Sequence, residues 1–188
     1  MRLAALLLAA GEGRRFGGCK QLAELDEKPL IRHALDALLP LFNDSLYVVL
    51  GAHRDRVRAV IEPPAKIVEH AQWQAGMGSS IACGIGAIEN IDAVDGLLIA
   101  LADQPRITQA DYHRLSQSFE GDRIVATEYN GQPGAPAIFP QFRFEDLAAL
   151  EGDRGARQLL RDPNTETQLV IIASAGFDVD QKADLESN

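Results

Sequence analysis

The chain has 188 residues, 46% of them hydrophobic and 24% charged, with a formal net charge of −9. That length supports one sizeable core, most simply a single domain over residues 1–188, and the composition is ordinary for a soluble globular protein. The acidic balance argues against nucleic acid or an anionic membrane surface as a partner, and no apolar run approaches the ~20 residues of a membrane-spanning helix.

The N-terminal MRLAALLLAAG imitates a secretory leader but is short, and GEGRR follows at once. It reads as a first strand over 2–8. The loop behind it carries Gly11, Gly13, Gly17 and Gly18 together with Arg14, Arg15 and Lys20 against one acid, Glu12. Pro29 opens a helix with Leu30, Ile31, Ala34, Leu35, Leu38 and Leu39 at helical spacing, and Pro40 is expected to end it. Residues 45–50 form a second buried strand, 53–61 a helix stopped by Pro63-Pro64, and 66–69 a short third strand. Residues 70–80, HAQWQAGMGSS, are small, polar and glycine-rich; they lead into a helix with Ile81, Ile85 and Ile88 on one face, and Trp73 is read as core.

Residues 95–101 are a near-continuous apolar run, as expected of a central parallel strand, and it ends in Ala102-Asp103-Gln104-Pro105. Residues 108–111 read as a capped helix start, with Tyr112, Leu115 and Phe119 inside. A strand follows at 123–127, then the turn formers of 129–136, a short strand at 137–139, a helix at 153–160, a late strand at 168–173 and the tail FDVDQKADL at 177–185. Strands alternating with helical patterns predict an α/β fold built on a mainly parallel sheet. The two cysteines, Cys19 and Cys83, lie far apart. That argues against a disulfide framework and for a reducing, cytoplasmic setting.

A buried strand opening into a basic, glycine-rich loop suits a polyphosphate. Glycine lets backbone N–H groups approach an anion, and Arg and Lys add charge-assisted hydrogen bonds. Two standard phosphate motifs fail here. Cys19 interrupts the P-loop pattern after Gly18, and Phe16 stands where the dinucleotide fingerprint needs its third glycine. Cys19 has no histidine nearby in sequence to make it a nucleophile. Asp103 ends a fully apolar strand at its carboxyl end, where ligands bind in open α/β sheets. A carboxylate there facing a triphosphate suits Mg²⁺, which prefers one or two carboxylates plus phosphate oxygens.

LAAGEGRRFGGCK resembles the signature loop of the MobA-like nucleotidyltransferases, which bind an NTP over the first strand of a Rossmann-like sheet. The resemblance implies a three-layer fold with helices on both faces of the sheet, of the nucleotide-diphospho-sugar transferase type. It assigns Ala9, Ala10, Gly11, Gly13, Arg15 and Lys20 to nucleotide binding. ALADQP is similar to the family's metal-binding segment and makes Asp103 a metal ligand. FDVDQKADL resembles a family ending DIDTPEDL, so Asp178 and Asp180 match its aspartates and Asp180 becomes the second ligand. Gln181 and Lys182 depart from the Thr-Pro of that ending.

GMGSS resembles the loop that approaches base and ribose, which implicates Gly76, Ser79 and Ser80; His70-Ala71 stand where relatives have Asn-Pro. GQPGAP and GDRGARQLL resemble segments that shape the acceptor half; Arg157 there fits an anionic acceptor and equally a surface ion pair. The spelling Ala9-Ala10-Gly11 is nearest to the molybdenum cofactor cytidylyltransferases. The implied reaction moves CMP from CTP to the terminal phosphate of molybdopterin, releases pyrophosphate and uses Mg²⁺, with Arg15, Lys20 and Asp103 catalytic. A molybdoenzyme or its chaperone is an open partner. Three alternatives remain at this stage: another phosphorylated acceptor, GTP as donor, or a non-catalytic nucleotide-binding cofactor carrier.

Overall fold

Seven consecutive apolar residues make β1 (Leu3–Ala9), and all but Leu3 are buried. Side chains alternate along a strand, so Ala5, Leu7 and Ala9 enter one core while Ala4, Leu6 and Leu8 enter another. A strand apolar on both faces must be covered on both. The computed structural model, described over residues 1–129, 131–162 and 165–186 (without the side chain of Asp92), does this with three layers.

After β1 come a short hairpin of β2 (Glu24–Leu25) and β3 (Lys28–Pro29), helix α1 (Leu30–Phe42), β4 (Leu46–Leu50) and α2 (Arg54–Arg58). Next are β5 (Lys66–Glu69), α3 (Met77–Gly86), β6 (Gly96–Leu101), α4 (Gln109–Ser118), β7 (Ile124–Tyr129) and β8 (Gln132–Pro140). The chain closes with α5 (Phe144–Ala148), α6 (Arg157–Leu160) and β9 (Thr167–Ile171). Seven strands form one sheet in the order β5-β4-β1-β6-β8-β7-β9. Only β8 runs against its neighbours; the pairs β1–β4, β1–β6, β4–β5 and β7–β9 are parallel. Helix α1 (Ile31, Leu35, Leu38) and α4 (Tyr112, Leu115) cover one face. Helices α3 (Ile81, Ile85), α5 (Phe144, Leu147) and α6 (Leu160) cover the other. The expected three-layer, mainly parallel α/β fold is therefore present.

The chain runs outward from β1 through β4 to β5, then crosses back to place β6 on the other side of β1. That reversal leaves a crevice at the carboxyl ends of β1 and β6. The glycine-rich loop with Arg15 and Lys20 follows the end of β1, and Asp103 follows the end of β6; Asp180 comes from the tail and Gly76, Ser79 and Ser80 from the start of α3.

Several boundaries differ from the sequence reading. Pro40 lies inside α1 rather than ending it. Proline removes one helical donor, and the buried ring of Phe42 carries the helix two residues further. The helix expected at 53–61 shortens to α2 after His53, which is left-handed at φ 59°. The helix expected at 153–160 begins only at Arg157, because Gly152 (φ 66°) and Gly155 (φ 55°) break the preceding turn. Strand β8 starts at Gln132, inside the stretch read as turn formers. Its register jumps so that Ala137 faces Ala126 while Gly134 faces Thr127. Pro136 thus falls in a bulge where no ladder N–H is needed. The start of α4 is the expected one: Thr108 Oγ1 accepts from Asp111 N, and Asp111 Oδ2 accepts from Thr108 N.

Helix α3 seats on β1 through Gly84, where an added Cβ would lie 2.5 Å from Leu6 Cδ1. Leu6 is fully buried and has nowhere to retreat. Gly84→Val should cost ~1–3 kcal/mol by overpacking, lowering the melting temperature by roughly 2–4 °C per kcal/mol for a chain of this length. An unchanged melting temperature would mean that α3 slides freely on β1.

Candidate functional site

The loop after β1 is shaped by its own backbone. Gly13 (φ 71°) and Gly17 (φ 81°) take left-handed conformations that glycine alone adopts without strain. Gly17 N donates to Gly13 O at 2.8 Å, and a Cβ on Gly13 would collide with Gly18 O. Beneath the loop, buried Gln21 donates Nε2 to Ala9 O (2.9 Å) and Gly11 O (2.7 Å). Both neighbours are carbonyls, which fixes the amide orientation. Phe16 anchors the loop from the side, packing with Leu30 of α1 and Val179 of the tail.

The loop thereby delivers Lys20 to the end of β6. Its Nζ lies 2.7 Å from Asp103 Oδ2 and 3.4 Å from Asp180 Oδ1. Arg15 reaches the same Asp180 with both guanidinium branches, Nη1–Oδ2 at 2.9 Å and Nη2–Oδ1 at 3.1 Å. Asp103 follows β6 directly, and the tail is tied to it by Val179 N donating to Asp103 O at 2.9 Å. Four charged side chains from three distant segments thus form one network. Lys20 is well enclosed, at 17% side-chain exposure, whereas Arg15 at 73% is free to swing.

These groups stand at one end of a cleft of about 440 Å³. Ala9, Ala10, Gly11 and Gly13 line it from the loop, Arg15, Lys20, Asp103 and Asp180 from the charged end. Gly76 and Ser80 line it from the α3 side. Ser79, half-buried, is not among the lining residues: its hydroxyl donates to Gly76 O at 2.8 Å and so must accept from His70 Nε2 at 2.9 Å. His70 is buried, and burial holds its pKa below the usual range. Trp73, read as core, is half-buried and shows part of its surface to the cleft. Asp153, in a segment the sequence placed with the acceptor half, also lines this cleft.

The geometry fits a divalent cation on one specific ground. Asp103 Oδ1 is buried without a hydrogen-bond partner, while Oδ2 holds Lys20. A bare carboxylate oxygen in such a position costs free energy unless something binds it. Among the described residues no group of three or more His, Cys, Asp and Glu is arranged around a metal. Asp103 with Asp180 beside it would fit the habit of Mg²⁺, which takes one or two carboxylates and completes its shell with phosphate oxygens. On balance the surroundings of Cys19 do not activate its thiol. Burial pushes its thiol pKa up, the reverse of an activated nucleophile.

Gln21 and Asp184 were not singled out from the sequence. Asp184 Oδ2 accepts from the N–H groups of Asp180 and Gln181 at 2.7 Å each. For Gln21 the signal was its place two residues after Gly-Cys in the loop; for Asp184, its place in a tail where two other aspartates took the attention.

Asp178 has the most displaced carboxyl of the site. Desolvation, then the charge of Asp103, push it up to about 6. A carboxyl raised in the folded state stabilises the fold below about pH 4, the usual aspartate value, and loses that contribution as pH rises through about 6. In the absence of metal, Asp178→Asn should therefore melt a few degrees above the parent at pH 7.5 and level with it at pH 4. Equal melting temperatures at both values would show that Asp178 ionises without hindrance.

Residues 5–169 match the model of the MobA-like NTP transferase domain. The chain is 32% identical to nicotine blue oxidoreductase of Paenarthrobacter nicotinovorans, an alignment covering 93% of this chain and 90% of that one. A solved homologue of Rv0371c from Mycobacterium sp. strain JC1 superimposes with a TM-score of 0.85 at 29% identity, over 99% of this chain and 95% of that one. The manganese complex of Rv0371c from Mycobacterium tuberculosis gives a TM-score of 0.82 at 24% identity over the whole of both chains.

Proposed function

The chain belongs to the family of MobA-like NTP transferase domains and is a nucleotidyltransferase; on that premise we propose that its donor is CTP, its acceptor the terminal phosphate of molybdopterin, and its metal Mg²⁺. The observation that carries nucleotidyl transfer to these residues is the Lys20–Asp103–Asp180–Arg15 network at the carboxyl ends of β1 and β6. The order of the later motifs supports the family, and the Ala9-Ala10-Gly11 spelling supports its cytidylyl branch. The manganese complex of a protein with the same fold supports a divalent cation.

One phosphate attacks another in this reaction, so positioning and charge screening dominate. Gly11 and Gly13 bring backbone N–H groups against the triphosphate. Lys20 and Arg15 leave their carboxylates for the phosphate oxygens and meet the negative charge that develops on the departing pyrophosphate. Asp103 and Asp180, released from those cations, are the carboxylates that would hold Mg²⁺. The ion supplies Lewis-acid neutralisation of the phosphate oxygens when bound. Ser80, Gly76 and Trp73 form the wall on which base and ribose rest. No residue needs to act as general base, because a phosphate nucleophile is already ionised. Beyond Asp103 stand Tyr129, Asp178, Arg157 and Arg161, near enough for Tyr129 to feel all of their charges. This group is the acceptor side of the proposal.

Melting curves with CTP, GTP, ATP and UTP, each with and without Mg²⁺, test the donor. Ligand at a hundredfold excess over Kd should stabilise by about 2.7 kcal/mol, with the shift largest for CTP and dependent on Mg²⁺. A shift selective for GTP would remove the cytidylyl branch, and no shift with any nucleotide would remove the donor site. Lys20→Ala and Asp103→Ala should each lower pyrophosphate release ~10²–10³-fold while staying folded. Normal turnover in either variant would take that residue out of the mechanism.

A further inference from the structure

The carboxylate of Asp180 can serve the site only if the tail returns it to the same place each time. On the N-terminal side this is assured. Val179 is fully buried against Phe16 and Leu30, and its N–H is held by Asp103 O at 2.9 Å. On the C-terminal side the chain passes through Gln181 and Lys182, both exposed, where nothing in the sequence stiffens the backbone. The hold comes instead from Asp184. Its Oδ2 takes the N–H groups of Asp180 and Gln181 at 2.7 Å each, while its own N–H bonds back to Gln181 O at 3.1 Å. The short helical turn of Lys182–Glu186 is thereby closed on itself, and Leu185 packs it onto the Phe16–Val179 cluster.

We propose that Asp184 is a positioning residue for cation binding: by holding the backbone N–H groups of Asp180 and Gln181, it fixes the Asp180 carboxylate where Arg15 and Lys20 now meet it. Two short hydrogen bonds from N–H groups to an ionised acceptor are among the stronger ones available to a backbone turn. They leave Asp180 free to exchange its cation partners without losing its own position. The proposal rests on the reading of Asp180 as a cation ligand.

The test is Mn²⁺ binding, read from the electron paramagnetic resonance signal of the free ion at saturating CTP without acceptor. Outer residues that orient a metal ligand are worth 10–100-fold in affinity. Asp184→Ala should weaken Mn²⁺ binding about tenfold, and Asp184→Asn, whose amide oxygen still accepts, should recover most of it. The double variant Asp180→Ala/Asp184→Ala should bind no worse than Asp180→Ala alone, because a residue acting through another adds nothing once that other is gone. Binding by Asp184→Ala equal to the parent would overturn the proposal, as would additive losses in the double variant. If Asp180→Ala itself bound Mn²⁺ normally, the reading of Asp180 as a ligand would fall and the proposal with it. That result appears in a different variant and so is told apart. Should Asp184→Ala fail to fold, Asp184→Glu, which displaces the carboxylate by one methylene, takes its place under the same criteria.

Discussion

A lysine held between two carboxylates governs this site. Lys20 sits 2.7 Å from Asp103 and 3.4 Å from Asp180, and each partner comes from a different part of the chain. Such an arrangement demands that three backbone segments be fixed independently. The apolar runs of β1 and β6 fix two of them, pairing in parallel from Leu3–Gly96 to Leu8–Leu101. The third, the tail, has no strand to follow at this point. It is secured by Val179 in a small apolar cluster with Phe16 and by a backbone hydrogen bond to Asp103. Without the cluster around Phe16, loop and tail would each be free to move and the pairing would lose its geometry.

Close approach of backbones performs the corresponding task on the opposite wall. Gly78 N donates to Gly152 O at 2.8 Å, and a Cβ on Gly78 would lie 2.7 Å from Glu151 O. Gly76, at φ 105°, leaves no room for a side chain against Gly152. The segments GMGSS and GDRGAR, which sequence reasoning placed in the donor and acceptor halves, are therefore one continuous wall. Small residues are what permit so close an approach of the two backbones.

How much of this was legible depended on which force set each feature. The runs LAALLLA and GLLIAL announce buried parallel strands because burial on both faces requires unbroken hydrophobicity; the structure places them adjacent. Asp103 stood out because it ends such a strand, and Lys20 because it stands in the glycine-rich loop behind the other; the structure brings the two together at 2.7 Å. The hairpin of β2 and β3 was not: Asp26 and Glu27 take positive φ angles that favour asparagine or glycine, so the turn lacks its usual signal. The bulge in β8 was hidden because prolines and glycines read as turns until a partner strand is known. Ser79 and Ser80 are neighbours in sequence with equal claims on a ligand. Both hydroxyls donate to Gly76 O, but only Ser79 is also held by His70, and Ser80 is the one that lines the cleft.

The chain carries a net charge of −9, yet it must receive a triphosphate. Bare cations in a loop would meet that need, at the cost of mutual repulsion between Arg14, Arg15 and Lys20 in the free protein. Pairing two of them with Asp103 and Asp180 removes the repulsion, and, if those carboxylates hold the metal as proposed, it sets a condition on binding. A nucleotide alone would take Lys20 and Arg15 but leave Asp103 and Asp180 uncompensated beside new negative charge. A cation alone would take the carboxylates but leave two positive charges beside it. For the enclosed Lys20–Asp103 pair, removing one partner is costly because the other is left unpaired, whereas the exposed Arg15 adds little. On the proposed reading, only the two ligands together would restore balance on both sides, so the free protein's own ion pairs would favour the metal–nucleotide complex over either component.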